Sequence, residues 1–393
     1  MTHISLRSVP LALFALAVGG FGIGTGEFVI MGLLPDAATD LQISIPQAGH
    51  LISAYALGVV IGAPVLAVLG ARIAQRRLLV LLMIVFAIGN IVSAYAPSYG
   101  SMLIARFLTG FPHGTYFGVA SLVAASLVPR EKRTQAVALV LMGLTVATLV
   151  GVPLATLAGQ WLGWRSAFVI VGLLGIAAFV MVAIFVPFIP ANDHASPLTE
   201  LTALKNKQVW LTLAIGAVGS GGLFAVFSYV KPTMMNQAGI SESVMPWVLA
   251  LFGVGMVAGN LIGARLADIH LEKTIRGILL WGVFVLSSFY WTSHHPLWGS
   301  ITILLVGTLV ALGPALQSRL MDVAGEAQTL AAALNHSAFN AANALGAWLG
   351  GVSISAGLGW DSTAYVGAFL AAAGVGIHAY VLYQQPREAH DNT

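Results

Sequence analysis

The chain has 393 residues, of which 58% are hydrophobic and only 8% are charged. Soluble globular domains carry about 25% charged residues, so this composition excludes a soluble domain and indicates a membrane protein. The 17 basic residues exceed the 14 acidic ones by too little to indicate nucleic-acid binding, and the lack of cysteine excludes disulfides and thiolate metal sites.

A helix that crosses a bilayer needs about 20 mainly apolar residues. Charges, prolines and polar clusters divide the chain into twelve such spans. In chain order, we predict them at 8–34, 47–70, 78–95, 101–127, 135–160, 166–187, 209–230, 244–267, 275–292, 297–317, 328–354 and 362–383. The first stretch is too long for the core of a signal peptide, so we interpret it as a retained helix. The sequence therefore predicts an all-α membrane protein with 12 transmembrane helices.

The middle connection, the only long one, separates six spans from six. We predict an N-terminal six-helix bundle at 1–190, a cytoplasmic linker at 191–208 and a C-terminal six-helix bundle at 209–393. Short strings recur between the halves at offsets of 193 and 196 residues: Gly62 with Gly70-Ala71-Arg72 as Gly255 with Gly263-Ala264-Arg265, and Gly163-Trp164 as Gly359-Trp360. Offsets near half the chain length indicate pseudo-twofold symmetry between two repeats, as in transporters that rock around a central cavity.

The basic residues predict the orientation, because cytoplasmic loops are enriched in lysine and arginine. With the N-terminus inside, only Arg165 and Lys231 fall on the outer side. The inner side receives Arg7, Arg72, Arg76, Arg77, Arg130, Lys132, Arg133, Lys205, Lys207, Arg265, Lys273, Arg276, Arg319 and Arg387. Both termini are therefore expected to be cytoplasmic.

Glu27 is the only ionisable residue in the long apolar segment between Arg7 and Asp36. A carboxylate in a membrane span is costly unless it is paired, protonated or facing water, which makes Glu27 a candidate functional residue. Arg106 lies at a similar depth on the fourth span, and we expect these two to be the only formal charges within spans. They could form a direct pair or a relay through water or another side chain, and Arg106 could also be a structural anchor on backbone carbonyls.

His113 lies seven residues after Arg106 and hence on the same helical face. A histidine in a polar cavity can titrate near neutral pH, although a neutral hydrogen-bonding role is the simpler alternative. On the eleventh span, His336, Asn340 and Asn343 share a face and could line a cavity or join helices. Aromatic side chains could form the wall that an amphiphilic substrate needs. The candidate substrate-binding residues are Glu27, Met31, Tyr55, His113, Phe224, Phe227 and Asn340.

Proline can bend a membrane helix because it removes a backbone hydrogen bond. Pro64 in the second span, and Gly151 with Pro153 in the fifth, are therefore candidate bending points for gating or for packing. The glycines at 20, 22, 24 and 26 lack the preceding strand and the GK[ST] of a phosphate loop. His294-His295 lacks further ligands at metal spacing, so no metal site is predicted.

Several strings resemble one branch of a known family. They are Gly26-Glu27-Phe28-Val29-Ile30-Met31-Gly32-Leu33-Leu34-Pro35, Ile45-Pro46-Gln47-Ala48-Gly49-His50, Ser53-Ala54-Tyr55-Ala56-Leu57-Gly58, Gly110-Phe111-Pro112-His113-Gly114, Gly163-Trp164-Arg165 and Phe227-Ser228-Tyr229-Val230-Lys231-Pro232. The chain is similar to the drug:proton antiporter-1 group of the major facilitator superfamily, which contains arabinose-efflux-like permeases and chloramphenicol exporters. The resemblance covers essentially the whole chain and implies the major facilitator fold of two six-helix bundles.

The resemblance also implies roles for particular residues. Arg106, Gly110 and Gly114 match a fourth-span motif that the family associates with proton coupling, so Glu27, Arg106 and His113 are the expected proton-coupling residues. The gating loops are expected to use Arg72, Arg76, Arg265 and Asp268. Ala71 stands where the family has an aspartate, whereas the acidic version is kept in the second half at Asp268.

We expect a proton-coupled antiporter that exports a small hydrophobic or amphiphilic solute, such as a drug or sugar-like compound, by alternating access. A proton-coupled or facilitative importer of a sugar or other nutrient is the alternative. An enzyme is disfavoured, since no nucleophile–base set or paired carboxylates stand out. The expected location is a bacterial cytoplasmic (inner) membrane, where the protein would act as a monomer, with a small-molecule substrate and the lipid bilayer as partners, no nucleic acid, and no cofactor other than protons as coupling ion.

Overall fold

The computed structural model describes residues 9–70, 73–129, 133–188, 204–324 and 328–384, and within them all regular structure is helical. We number the spanning helices as follows: α1 Val9–Gly32, α2 Ile45–Gly70, α3 Gln75–Ala94, α4 Tyr99–Ser126, α5 Arg133–Val146 continued by Val152–Leu162, α6 Arg165–Phe185, α7 Lys207–Ala214 continued by Gly221–Phe227, α8 and α9 as the two arms of Met245–Thr292, α10 Pro296–Gly307 continued by Leu312–Ala324, α11 Gln328–Ser355 and α12 Ser362–Gln384. Short helices Leu34–Asp40 and Val230–Ala238 follow α1 and α7.

Ten helices of the described residues are long and apolar enough to cross a membrane. The other two, α4 and α11, are each 28 residues long. Helix α4 carries Arg106 and His113 in its interior, and α11 carries His336, Asn340 and Asn343. These two helices are thus less apolar because they carry several of the polar residues that the sequence marks as candidates.

Local sequence explains where several helices begin. Ser98 caps α4 in a reciprocal pair with Ser101, which satisfies backbone N–H groups that a helix start leaves free. Asn206 caps α7 through the amide of Gln208, and the ring of His295 accepts from the first turn of α10.

The predicted repeat has a structural counterpart. Gly62 of α2 packs against the backbone of Phe111 in α4, and Gly255, its equivalent in α8, packs against the carbonyl of Leu304 in α10. Small residues allow this close approach of backbones, which drives helix association where lipid provides no hydrophobic force. The same pair of helices is thus joined in the same way in both halves.

Two seams join the halves, one between α2 and α11 and the other between α5 and α8. Ser53 of α2 donates to the carbonyl of Ala344 at 3.1 Å, and Gly253 of α8 lies against the backbone of Leu149 in α5. Residues 189–203 lie outside the described part of the chain and include most of the predicted linker 191–208. The domain boundaries therefore stay a prediction.

Several helices depart from regular α geometry. Residues Ala147–Gly151 of α5 and Ile215–Gly219 of α7 form π turns, and Thr308–Ala311 of α10 is a 3-10 turn. Of the candidate bending points, Pro64 lies inside the continuous helix α2, whereas Gly151 ends the π turn of α5 and Pro153 follows it. Their role in gating stays a prediction.

The connection between α8 and α9 differs from the expectation. The sequence predicted a break at 268–274, but Met245–Thr292 is continuous except at His270, where φ is −150° and ψ is 83°. Charged residues in this stretch suggested a loop, yet glutamate and lysine are good helix formers. A single non-helical residue, His270, therefore separates the two helical arms.

Large apolar side chains are exposed around the outside of the bundle, for example Phe14 and Phe369. Exposed tryptophans follow at one end: Trp161, Trp247, Trp291 and Trp298. An apolar surface with a tryptophan girdle is typical of a protein embedded in lipid. We call the end with this girdle the Lys231 end and the opposite end the His270 end, after the residues found there.

Candidate functional site

Glu27 lies at the contact between the two halves. It is buried in α1, with 5% of its surface exposed. Its Oε1 accepts a hydrogen bond of 3.3 Å from Nδ2 of Asn343 in α11, and the Oδ1 of Asn343 is buried without a partner. The carboxyl group is therefore bound by the opposite half of the molecule, and one further acceptor atom stands beside it.

Arg106 is completely buried in α4 but makes no ion pair with Glu27 within the described part of the chain. Its Nη1 donates to the carbonyl of Gly26 at 3.0 Å, and its guanidinium carbon lies 4.4 Å from the ring centre of Tyr55. Two of its nitrogens, Nε and Nη2, have no partner. Of the arrangements that the sequence left open, a backbone anchor next to Glu27 is the one that this conformation shows.

Tyr55 connects Arg106 to His113. Its hydroxyl group lies 3.2 Å from Nδ1 of His113, while its ring faces the guanidinium group. On its other side His113 faces His336 of α11, with ring centres 6.5 Å apart, and His336 stacks on Phe117 at 5.5 Å. Tyr55 and His113, both predicted site residues, thus belong to a continuous row of side chains that crosses between the halves.

The aromatic candidates gather on the Lys231 side of this row. Phe227 of α7 meets Phe28 edge to face at 6.2 Å and stacks on Phe252 of α8 at 3.6 Å. Phe224 and Met31 are also buried in this hydrophobic core. The structure therefore provides an apolar, aromatic surface formed by both halves close to Glu27.

Asn343, and not the predicted substrate residue Asn340, makes the hydrogen bond to Glu27. Asn340, the predicted substrate residue, uses Nδ2 on the carbonyl of His336 in its own helix, and its Oδ1 is buried without a partner. Asn343, one turn further on, is the residue that reaches Glu27. The shared helical face was visible in the sequence, whereas the partner of each amide depends on how α11 packs against α1.

A buried lysine closes the Lys231 end. Lys231 is fully buried, and its Nζ lies 2.6 Å from Asp36 of the first half and 2.7 Å from Glu242 of the second. Gln160 of α5 also donates to the backbone carbonyl of Glu242 at 2.8 Å. We call Lys231, Asp36 and Glu242 the latch. The sequence predicts Lys231 in an outer loop. Its charge next to mainly apolar residues is the only feature that distinguishes it there.

Two of the predicted gating residues, Arg76 and Arg265, lie at the His270 end. Arg76 donates to the carbonyl of Ala183 in α6, within the first half, and Arg265 is exposed at the end of α8. Arg72 lies outside the described residues, and so does the side chain of Asp268. Their role in gating stays a prediction.

The expectation that Glu27 and Arg106 are the only charges within spans is wrong. Arg319 is buried in α10 and forms an ion pair with Glu272, whose other oxygen lies 2.8 Å from Nε2 of His378 in α12. The Nε of Arg319 also donates to Thr212 of α7 at 3.2 Å. A span boundary drawn at residue 317 concealed this cluster, because α10 extends to residue 324. Since all four residues belong to the second half, the cluster ties its helices together.

Within the described residues, no group of three or more histidine, aspartate and glutamate side chains is arranged to hold a metal ion.

Comparison with known proteins shows what the chain is similar to. The sequence model of the Major Facilitator Superfamily matches residues 16–231 and 213–393. The chain is 40% identical to "Inner membrane transport protein YdhP" of Escherichia coli K12, over 91% of this chain and 92% of that one. It is 34% identical to "Chloramphenicol resistance protein" of Streptomyces lividans, over 86% and 88%. It is 29% identical to "Probable sugar efflux transporter" of Mannheimia succiniciproducens, over 92% and 91%.

Solved structures agree on the fold. The xylose transporter XylE from E. coli, in a partially occluded inward-open conformation, superposes with a TM-score of 0.73 at 15% identity, covering 97% of this chain and 98% of that one. A bacterial homologue of the human lysosomal transporter Spinster gives a TM-score of 0.71 at 16% identity, covering 97% and 96%.

Proposed function

This chain belongs to the Major Facilitator Superfamily of membrane transporters, and from that membership we propose that it is a proton-coupled antiporter. It exports a small hydrophobic or amphiphilic solute by alternating access. The names of two relatives, which refer to resistance and to efflux, support export over import. The observation that carries the proposal is the buried carboxyl group of Glu27, which is bound across the two halves by Asn343.

The Glu27–Asn343 contact can respond to one proton. The ionised carboxylate accepts from Nδ2 of Asn343 at 3.3 Å. A protonated carboxyl group has an O–H to donate, and the unpartnered Oδ1 of Asn343 is the neighbouring acceptor. Protonation therefore changes the charge buried between the halves while leaving a hydrogen bond available. That is the property a coupling residue needs if the two halves move relative to each other.

Arg106, Tyr55 and His113 support this residue without touching its carboxyl group. Arg106 holds the backbone at Gly26, the residue before Glu27, and brings a positive charge close to it. Tyr55 and His113, which are hydrogen-bonded to each other, extend the row of side chains towards the His270 end. We propose that this row is the route by which protons leave Glu27, with Arg106 favouring release because a nearby cation favours the ionised carboxylate.

The substrate would bind beside Glu27, against Phe28, Phe224 and Phe227. Pockets of this kind are mostly apolar and carry few polar groups, which here are Glu27 and the free oxygen of Asn340. Substrate and proton would then use the same site in turn, which couples their movements in opposite directions.

Alternating access requires that one end opens while the other closes. The latch and the bond from Gln160 hold the Lys231 end closed. We propose that this end faces outward and that both termini are cytoplasmic, as the distribution of basic residues indicates. In this proposal the protein works as a monomer in a bacterial inner membrane, with bundles at 1–190 and 209–393 and no cofactor other than protons.

The test is uphill transport of radiolabelled chloramphenicol, the compound in the name of one relative, in proteoliposomes with an imposed pH gradient. Wild-type protein should accumulate the drug against its gradient, and Glu27→Gln should bind it yet fail to do so. Asp40→Asn is the control, because Asp40 pairs with Arg165 inside the first half. Uphill transport by Glu27→Gln would refute proton coupling through this residue. If the drug moved only in the same direction as the protons, the result would favour import.

A further inference from the structure

A lipid-facing groove lies at the His270 end, away from the site around Glu27. Its volume is about 540 Å³, and it is formed by α8, α9 and α10 around the break at His270. Ile262 and Ile269 on its border are exposed, which places the opening on the outer surface of the bundle, where a membrane protein meets lipid.

Glycine gives the groove its depth. A Cβ atom added at Gly277 of α9 would meet no heavy atom within 4 Å, so the space above this residue is open. Gly259 and Gly263 of α8 lie directly against α10 and leave the floor without side chains. At the deep end, Trp281 donates from Nε1 to Thr308 at 3.0 Å and closes the groove.

The length of the groove matches one acyl chain. From His270 to Trp281 is eleven residues, and at 1.5 Å per helical residue this is roughly 16 Å. The hydrocarbon core of a bilayer is about 30 Å thick, so the groove spans about one leaflet. A chain that enters from the lipid would reach Trp281 with its head group near His270.

The shallow end carries a positive charge. Lys273 lines the groove and is exposed, and no carboxylate of a described side chain lies within ion-pair distance of it. The nearby Glu272 is occupied by Arg319 and His378.

We propose that this groove binds one anionic phospholipid, with an acyl chain between α8 and α9 and the phosphate of the head group on Lys273. None of the residues that line the groove belongs to the site around Glu27. It joins the two arms that meet at His270, and it provides the charge and the apolar surface that this class of lipid has.

The experiment is native mass spectrometry of the full chain in detergent, titrated separately with phosphatidylglycerol and with phosphatidylcholine of the same chain length. The wild type should retain phosphatidylglycerol more strongly. Lys273→Gln should reduce this preference about fivefold, the change expected when one lysine near an anionic lipid surface is neutralised. Arg276→Gln removes a charge three residues further along α9 that does not line the groove, and it should retain the preference.

A second pair of variants tests the acyl chain. Gly277→Trp fills the groove and should lose the tightly bound lipid, whereas Gly376→Trp, at another glycine with open space in α12, should keep it. Melting temperatures show whether each variant is folded. If Gly277→Trp does not fold, the comparison of Lys273→Gln with Arg276→Gln decides. Equal retention of both lipids by the wild type, or an unchanged preference in Lys273→Gln, would overturn the proposal. So would competition by inorganic phosphate alone, which would indicate an anion site without a lipid.

Discussion

Replacing Asp36 with asparagine should open the Lys231 end of the molecule. In the closed state the ammonium group of Lys231 is fully buried between Asp36 and Glu242. Glu242 and Lys231 both belong to the second half, so this pair survives when the halves separate. Asp36 is the member of the latch from the first half, and its bond of 2.6 Å exists only while this end is closed.

The size of the effect follows from these contacts. A hydrogen bond between charged groups contributes about 1.5–3 kcal/mol. The Asp36 side chain keeps 29% of its surface exposed, so water screens the pair and the lower value applies. Asparagine also keeps one neutral acceptor. We therefore expect a loss of about 1.5 kcal/mol from the closed state, which shifts the ratio of closed to open molecules about tenfold.

The natural chain has no cysteine, so two introduced cysteines can be spin-labelled without background. Gly100 and Ser243 are exposed, belong to different halves and lie at the Lys231 end. Electron–electron double resonance between labels at Gly100→Cys and Ser243→Cys should show two distances, a shorter one from closed molecules and a longer one from open molecules. The fraction of molecules with the longer distance should increase in Asp36→Asn. The control is Asp40→Asn, which breaks an ion pair with Arg165 inside the first half. An unchanged distribution in Asp36→Asn, or an equal shift in the control, would refute the latch.

Three further outcomes test other parts of the structure. Tyr55→Phe removes the hydroxyl group bonded to His113 and should slow proton-driven exchange in proteoliposomes severalfold, while it lowers stability by only about 1 kcal/mol. An unaltered exchange rate would exclude this row of side chains as a proton route. Gly253→Ala should push α5 and α8 apart and shift the spin-labelled protein towards the open state. Gly110→Ala, at a glycine packed inside the first half, should instead lower the melting temperature by several degrees. The reverse pattern would contradict the assignment of the seams. Glu272→Gln leaves Arg319 buried without its counter-ion and should destabilise the second half by about 2 kcal/mol in thermal unfolding, less than for a fully buried pair because Glu272 is one-third exposed; a neutral result would show that the cluster adds no stability.

Much of the candidate site was accessible from the sequence. Glu27, Arg106 and His113 stood out because lipid makes a polar group costly wherever it occurs, so each anomaly is visible without knowing its neighbours. Tyr55 and the phenylalanines of α7 followed from the expectation of an aromatic wall. The identity of partners did not follow: Glu27 was matched to Arg106 by depth, whereas its hydrogen bond comes from Asn343, 316 residues away.

The sequence by itself determined the twelve helices, their division into two related halves and the positions of Glu27 and Arg106 inside spans. These are local properties, because hydropathy and helical spacing are set by neighbouring residues. Tertiary structure alone decided that Lys231 is buried in a latch, that Asn343 and not Asn340 reaches Glu27, and that Arg319 pairs with Glu272 of α9. Each of these depends on which helix faces which, and the small residues that permit close packing occur on so many spans that the sequence does not specify the partner of each one.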